Sequence, residues 1–318
     1  MSELSIAIIG AGAAGHVHLQ CWRNMSGIRI AAVCDTDALE AAKMAGEVTG
    51  TAAFKDVSTM LRSERFDIVD VCVPAAVQLE VCRAALNAGA HVLCESPFTA
   101  SADAADALVR LAELKERLLA PVFCHRSHPP VLFAKDLLDQ DEIGRPTMFR
   151  CRFSGYWDEA SSDERASTQG ALRSTAIHGI DLFRYFCGNI TSISGQLATA
   201  NPDLKVEDTA ALLLRAENGA IGVVETSWSS PGGRSVLEVY GSAGAVIVDY
   251  DTGALRYLTA DHPVWRHHDE GGPNRFERLI ASFADSVRGL QKPTATAADG
   301  AAAADVCDIV YAQATGQA

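Results

Sequence analysis

The stretch Ser5-Ile6-Ala7-Ile8-Ile9-Gly10-Ala11-Gly12-Ala13-Ala14-Gly15 decides the fold of the first part of the chain. Its first five residues form an apolar run that predicts a buried strand, and the glycine-rich run after them leads into a helix-like segment at 15–23. Asp35 stands twenty residues beyond Gly15, at the end of a second apolar run. A chance glycine run would rarely combine these features, so the pattern predicts a dinucleotide-binding turn rather than a merely structural loop.

Each part of this pattern has a physical role in holding a nucleotide. Gly10 permits the tight turn out of the strand, Gly12 lets backbone amides approach a pyrophosphate, and Gly15 lets the helix lie close to the sheet. The helix N-terminus adds partial positive charge beside the phosphates. Asp35 would accept hydrogen bonds from the adenosine ribose hydroxyls, and its charge would repel a 2′-phosphate. The sequence therefore predicts NAD as cofactor in preference to NADP.

The composition indicates a folded protein with a sizeable core and excludes several partners. The 318 residues suffice for two domains, and 48% of them are hydrophobic against 21% charged. A net charge of −13 would repel a nucleic-acid backbone or an anionic membrane, so neither is an expected partner. No apolar run reaches the roughly 20 residues of a membrane span, and the N-terminus lacks the pattern of a signal peptide. We expect a cytoplasmic protein.

The nine cysteines predict buried thiols rather than disulfides or a metal site. Cys34, Cys72, Cys94 and Cys124 each fall in or at the end of an apolar run, where cysteine commonly serves as a small buried hydrophobe. No two cysteines form a Cys-x-x-Cys pair. The histidine-rich segment 262–270 lies among Pro and Gly residues, which favours a solvated loop over a metal site. We therefore expect no bound metal.

Apolar strand-like runs alternate with helix-like segments as far as residue 124. The strands are predicted at 5–9, 28–34, 68–73, 92–94 and 121–124, and the helices at 15–23, 38–45, 77–88 and 102–118. Such alternation predicts an α/β fold with a doubly wound parallel sheet and helices on both faces.

The pattern changes after residue 124. Strand-like runs then follow one another on short turns, at 147–153, 191–198, 209–215, 221–228, 235–240, 245–250 and 254–258, with helical blocks at 131–138 and 177–186. Consecutive strands on short turns predict a large, mostly antiparallel open sheet in a second α/β domain. The predicted domains are 1–124 and 125–318, and a final helix at 297–314 is expected to pack against one of them, with the first domain as one candidate.

Several motifs, in the right order, resemble those of one family. They are Asp67-Ile68-Val69-Asp70-Val71-Cys72-Val73-Pro74, Ala85-Leu86-Asn87-Ala88-Gly89-Ala90-His91-Val92-Leu93-Cys94-Glu95, His125-Arg126 followed by Pro130, His178-Gly179-Ile180-Asp181-Leu182 and Glu207-Asp208-Thr209. The chain resembles, nearly end to end, the glucose-fructose oxidoreductase, inositol dehydrogenase and MocA (Gfo/Idh/MocA) family. The resemblance implies an N-terminal Rossmann domain that binds NAD, with Val73, Pro74 and Glu95 among the cofactor-binding residues. It also implies a C-terminal domain whose open sheet mediates assembly into a homodimer or homotetramer.

The same resemblance implies a site for hydride transfer between a substrate carbinol and nicotinamide, yet two of its usual residues are replaced. Where the family has Glu-Lys-Pro and uses the lysine to move a proton, this chain has Glu95-Ser96-Pro97, and the usual aspartate four residues before His178 is Ser174. The matching residues are His178, a candidate acid/base, and Asp181, which either orients the site or stabilises its helix. Spacing of four and three residues puts Ser174, His178 and Asp181 along one helical face, so Ser96 or Ser174 could take part in a histidine-based proton relay.

Other polar residues leave alternatives open. Arg126 and Arg173 are equally candidates for substrate anion anchors and for surface cations. Gln78 stands where the family frequently has a histidine. His16 and His18 directly follow the glycine run and are expected to line the start of the helix rather than to do chemistry.

The implied function is that of an NAD-dependent oxidoreductase acting on a small molecule: a sugar, polyol, cyclitol or dihydrodiol. Two alternatives remain because Ser96 replaces the lysine. One is a sensor or regulatory homologue that binds NAD and is weakened in catalysis. The other is an enzyme that uses tightly bound NAD in an elimination or hydrolysis reaction. Steady-state production of NADH separates the first function from both alternatives.

Overall fold

The computed structural model describes residues 3–156, 169–269 and 272–316 of the chain. These residues form two compact units. The first comprises the chain up to Cys124 together with Pro273–Ala304, and the second comprises the chain from His125 to Gly272 together with the residues from Asp305 onward.

A parallel six-stranded sheet forms the centre of the first unit. Its strands lie in the order β3-β2-β1-β4-β5-β6. The first three strands extend from the centre to one edge, and the chain then returns to the centre and adds the other three toward the opposite edge. Alternate residues of β1 enter different cores, since Ile6 and Ile8 pack in one apolar cluster and Ala7 and Ile9 in another. Both faces of the sheet are therefore covered, as expected for a doubly wound fold. The strands are β1 (Leu4–Ile9), β2 (Ile28–Cys34), β3 (Ala52–Phe54), β4 (Ile68–Val71), β5 (His91–Cys94) and β6 (Leu119–Pro121).

The helices of the first unit include one from a distant part of the chain. Leu279, Ile280 and Phe283 share an apolar core with Leu19 and Trp22, which explains why residues 273–304 belong to this unit and not to the predicted second domain. The helices are α1 (Ala13–Arg23), α2 (Ala38–Ala45), α3 (Val57–Ser63), α4 (Ala75–Asn87), α5 (Ala102–Lys115) and, later in the chain, α8 (Arg275–Val287).

An eight-stranded sheet forms the second unit, in the order β14-β13-β12-β11-β7-β10-β9-β8. It is mostly antiparallel, with one parallel pair between β7 and β10. The predicted mixture of a parallel and a mostly antiparallel sheet is thus confirmed. At one edge of the sheet, the short strand β14 lies within the histidine-rich segment 262–270, which the sequence predicts to be a solvated loop. The strands are β7 (Pro146–Ser154), β8 (Ile190–Ala198), β9 (Thr209–Ala216), β10 (Ile221–Ser227), β11 (Ser235–Gly241), β12 (Gly244–Asp249), β13 (Leu255–Thr259) and β14 (Arg266–His268).

Two helices, α6 (Pro129–Asp139) and α7 (Ile177–Cys187), belong to the second unit. Glycine permits close packing of α7 on the sheet, because a Cβ on Gly179 would lie 2.7 Å from Val224 and a Cβ on Gly222 would lie 2.4 Å from Phe183. These two contacts thereby set the distance between the sheet and α7, the helix that carries His178.

The last helix, α9 (Ala297–Ala314), contributes to both units. Ala297, Ala301 and Ala304 join the core of the first unit, whereas Val310 packs against Gly195 of β8 in the second. None of the helices in the described part of the chain is both long and apolar enough to cross a membrane.

Candidate functional site

The glycine turn of the first unit has the shape predicted for nucleotide binding. Gly10 has a φ of +105°, and a Cβ there would lie 2.3 Å from the carbonyl oxygen of Cys72. A Cβ on Gly15 would lie 2.0 Å from the carbonyl oxygen of Gly10. Both positions therefore require glycine for reasons internal to the protein.

Gly12 differs, because a Cβ there would meet nothing within 4 Å. It is the N-cap of α1 and is exposed, as is Ala13, while Ala14 is partly buried in the first turn. The N–H groups at such a helix end attract anions, so the open space beside Gly12 suits a pyrophosphate. These residues fit a dinucleotide such as NAD.

Asp35 lies directly beside this turn. One oxygen of its carboxylate accepts a hydrogen bond from the Ala11 N–H at 2.7 Å, and the other accepts from the Asp37 N–H at 2.9 Å. Each carboxylate oxygen can accept further bonds, so ribose hydroxyls can still bind. The second carboxylate, on Asp37, increases the negative charge that a 2′-phosphate would meet.

The turn after β5 carries the serine that replaces the family lysine. Ser96 is only 5% exposed, and its hydroxyl donates a hydrogen bond to the Val122 carbonyl at 3.0 Å. Its backbone N–H donates to the Glu95 carboxylate at 2.8 Å. Because the hydroxyl proton is already donated, Ser96 can offer a ligand acceptor lone pairs only.

Gln78 holds the same turn in place, a role that the sequence analysis did not foresee. Its side-chain amide donates to the carbonyls of Val73 at 3.1 Å and Glu95 at 3.0 Å, and its oxygen accepts from the Thr99 N–H at 2.7 Å. Gln78 is buried in α4, whose N-cap is Pro74. It therefore joins the segments that follow β4 and β5, where Val73 and Glu95 are the predicted cofactor-binding residues.

His18 lies in a buried network of polar side chains that was also not foreseen. Its Nδ1 is 2.9 Å from the Asp70 carboxylate, which also accepts a hydrogen bond from the Trp22 indole N–H at 2.6 Å. Its Nε2 lies 3.2 Å from Glu95 Oε1, an ion pair rather than an aligned hydrogen bond. Burial is the largest single influence and lowers the pKa of His18, but the charge and hydrogen bonds of Asp70, together with the neighbouring Cys72, outweigh it and hold the pKa well above its usual value. The two flanking carboxylates thus favour the protonated form of His18.

Cys72 is near enough to this pair to complete a three-ligand set for a metal. The ligand atoms of His18, Asp70 and Cys72 lie within 4.8 Å of one another. The Cys72 thiol lies 3.4 Å from His18 Nδ1 and donates to Asp70 at 3.6 Å, and burial raises its pKa to about 12. The hydrogen bond between His18 Nδ1 and Asp70 accounts for the cluster without a metal.

In the second unit, His178 lies among aromatic rings. Its ring centroid is 4.9 Å from that of His125, which in turn lies 4.7 Å from Phe153 and 5.3 Å from Tyr250. His128 stacks on Tyr250, with the ring centroids 4.9 Å apart. His178 itself is partly buried near the start of α7. The structure thus combines a candidate acid/base with an aromatic wall.

A π-helical turn, Leu172–Ala176, precedes α7 and contains Ser174. Such turns bond i to i+5, so the α-helical spacing that placed Ser174 beside His178 does not apply through this turn. The Ser174 hydroxyl donates to the Gln169 carbonyl at 3.3 Å. π-Helical turns frequently occur at functional sites, and this one directly precedes the candidate acid/base.

Asp181 forms a buried, two-pronged ion pair with Arg126. Its oxygens accept hydrogen bonds from Nε at 2.9 Å and Nη2 at 2.6 Å, and the guanidinium also lies 4.9 Å from the ring centroid of Tyr185. Asp181 is 1% exposed. This geometry favours a role in holding α7 and the Arg126 segment together.

The two candidate anion anchors are both buried and paired. Arg126 neutralises Asp181, and Arg173 forms an ion pair with Asp308 and stacks 5.5 Å from the ring centroid of Tyr311. Neither arginine is a surface cation, because their exposed fractions are 5% and 6%.

Comparison with known families agrees with the two units. Residues 4–123 match the oxidoreductase family with an NAD-binding Rossmann fold, and residues 131–247 match the GFO/IDH/MocA C-terminal domain. The predicted Rossmann domain and NAD as cofactor are thereby confirmed.

Individual proteins show the same relationship. A D-apiose dehydrogenase of Paraburkholderia graminis is 30% identical over 271 residues, which cover 83% of this chain and 70% of that protein. Inositol 2-dehydrogenase 1 of Mycolicibacterium vanbaalenii is 28% identical over 97% of this chain and 93% of its own length. The structure of a levoglucosan dehydrogenase in complex with NADH and levoglucosan superposes with a TM-score of 0.91 at 23% identity, covering 100% of this chain and 98% of that one. The chain therefore belongs to the Gfo/Idh/MocA family of oxidoreductases.

Proposed function

We propose that this protein is an NAD-dependent dehydrogenase that oxidises a secondary alcohol of an uncharged sugar, polyol or cyclitol. The observation that carries the proposal is the open space at Gly12 beside Asp35, which suits a dinucleotide without a 2′-phosphate. The relatives named as D-apiose and inositol dehydrogenases support a sugar or cyclitol as substrate, whereas the dihydrodiol stays a prediction.

His178 is the residue that we propose to move the proton. Oxidation of an alcohol releases the hydroxyl proton as well as a hydride, and an imidazole is a competent acceptor of a proton at neutral pH. When bound, the nicotinamide of NAD accepts the hydride. The ring of His125 packs beside that of His178, with the ring centroids 4.9 Å apart.

The charges in the second unit support an uncharged substrate. Arg126 and Arg173, the two arginines considered as anion anchors, are buried and already paired with Asp181 and with the partly exposed Asp308. The partly buried ring of Tyr250, which packs on the buried ring of Phe153, offers aromatic surface of the kind on which sugar rings pack.

A screen for NAD reduction tests the proposal. We expect a rise in NADH absorbance with at least one of D-apiose, levoglucosan and inositol, and little with NADP. His178→Asn should lower kcat about 100-fold or more, in the range typical of general-base loss. The matched control, His262→Asn, alters an exposed histidine of the same unit and should leave kcat unchanged. Equal activity of the two variants would contradict the role of His178.

One observation favours a second candidate, an NAD-binding sensor without efficient turnover. A serine hydroxyl is not basic enough to take up a proton as the lysine does, and the proton of Ser96 is held by the Val122 carbonyl, so Ser96 does not replace the lysine. If wild type binds NAD but produces no NADH with any substrate, and Ser96→Lys gains activity, the sensor function is correct and the dehydrogenase function is wrong.

We also propose that the protein is a cytoplasmic homo-oligomer, a dimer or a tetramer. Met148 and Ile221 are paired on adjacent strands, and Leu213 pairs with Val223 on the same face of the sheet. The side chains of Leu213 and Met148 are 54% and 46% exposed, which is unusual for a monomer's sheet. The nine unpaired cysteines agree with a reducing compartment. Light scattering should give a multiple of the chain mass, and Leu213→Glu should shift it toward the monomer.

A further inference from the structure

The first unit contains an ion network that the proposed mechanism does not use. The side chains of His18 and Asp70 are fully enclosed, while the Glu95 carboxylate beside them is 12% exposed. The imidazole ring of His18 thus lies between two carboxylates, one on β4 and one just after β5.

Such a network is a poor way to stabilise a core. Replacing buried ion pairs by well-packed apolar residues is often neutral or stabilising, so their presence alone does not argue for stability. The Asp70 side of the network is complete, because Trp22 and His18 both donate to it. The other side reaches Glu95, whose side chain is the only partly exposed one of the three.

The sheet order places Glu95 on the opposite side of the glycine turn from Asp35. Asp35 follows β2, and Glu95 follows β5, three strand spacings away in the order β2-β1-β4-β5. At roughly 4.8 Å per spacing this separation is about 14 Å. A dinucleotide lies across the carboxyl ends of the strands with its pyrophosphate at the first helix. With the adenosine half near Asp35, the nicotinamide half extends toward β4 and β5.

We infer that His18 is a positioning residue that holds the Glu95 carboxylate as a hydrogen-bond acceptor for the ribose hydroxyls of the nicotinamide half of NAD. The Ser96 N–H fixes the second oxygen of the same carboxylate at 2.8 Å, so the orientation of Glu95 is determined from two directions. This inference rests on the proposed function only in that NAD is the ligand.

The test compares two ligands that share the adenosine half. We would measure the Kd of NAD and of ADP by calorimetry, using wild type, His18→Gln and Glu95→Gln. The matched control is His16→Gln, which changes a partly exposed histidine of the same helix that contacts Glu47. Loss of a hydrogen bond to a charged group corresponds to a weakening of about tenfold or more. We expect His18→Gln to weaken NAD binding by this factor while the Kd of ADP stays within about twofold of wild type.

Glu95→Gln should reproduce the effect, and the double variant should bind NAD no more weakly than the poorer single variant, because both residues act through one contact. Because Glu95 is partly exposed, Glu95→Gln should fold, and it tests the inference even if His18→Gln does not fold. The inference is overturned if NAD and ADP weaken by the same factor, as for a purely structural histidine, or if neither changes. It is also overturned if wild type binds no NAD. Binding of NAD without turnover of any substrate would contradict the proposed dehydrogenase but not the role of His18.

Discussion

The substitution Gly12→Ala should weaken NAD binding while leaving the free energy of unfolding almost unchanged. A Cβ at Gly12 meets no protein atom within 4 Å, and the backbone has a φ of −77° that alanine adopts readily. The change at this N-cap should therefore alter the free energy of unfolding by less than about 1 kcal/mol. The added methyl group instead occupies the space that we assign to the pyrophosphate. Displacing one charged hydrogen bond costs about 1.5–3 kcal/mol, which corresponds to an approximately 10- to 100-fold increase in the Kd of NAD.

Calorimetric titration with NAD and urea unfolding give the two quantities for the same preparation. Gly15→Ala is the matched comparison, because its Cβ would lie 2.0 Å from the Gly10 carbonyl oxygen, where an ordinary contact needs 3.4 Å or more. The helix and turn would have to separate by about 1.4 Å, and we expect a loss of about 1–3 kcal/mol in the free energy of unfolding. An unchanged Kd for Gly12→Ala, with full stability, would refute the assignment of the pyrophosphate to this space.

Three further predictions concern buried charges and thiols. Burial lowers the pKa of His18, but Asp70 and Cys72 together hold it well above its usual value. The stabilisation from protonated His18 is therefore complete below about pH 6.5 and is lost as the pH rises through the raised pKa. As the pH rises above about 6.5, the Tm of wild type should therefore fall more steeply than the Tm of His18→Asn. Equal slopes of Tm against pH for the two proteins would contradict this prediction. Arg126→Met leaves Asp181 buried without its cation and should cost about 3–5 kcal/mol in urea unfolding, against less than about 0.5 kcal/mol for the exposed Arg145→Met. Burial raises the pKa of several cysteine thiols to about 11 or 12, so Ellman's reagent should label less than one thiol per folded chain within minutes near neutral pH and all nine in urea.

The doubly wound sheet could be predicted because its signals are local. The glycine turn, the acidic residue after β2 and the alternation of apolar runs each lie within a few tens of residues. The helix α8 was not predicted, although Asn274 and Glu277 form a capping box at its start. The sequence could not show that α8 belongs to the first unit, because the partners of its apolar face, Leu19 and Trp22, lie more than 250 residues earlier in the chain.

The polar contacts of the candidate site depend on atoms that the sequence does not bring together. His18 and Asp70 are 52 positions apart, and only the sheet places them in contact. One signal was available, since Asp70 interrupts an otherwise apolar buried strand and a buried charge needs a partner. The hydrogen bond of Ser96 to a backbone carbonyl left no such signal, because Val122 contributes only its main chain.

The division of the first unit between two parts of the chain has a consequence for biosynthesis. Strands β1 to β6 are made early, but the apolar surface that α8 and the start of α9 cover stays exposed until residues 273–304 have been translated. The ribosome must therefore complete all strands of the second sheet before the N-terminal core can close. Domains usually fold in order of synthesis. In this chain neither unit can be completed before the last helix is made, because that helix supplies residues to both.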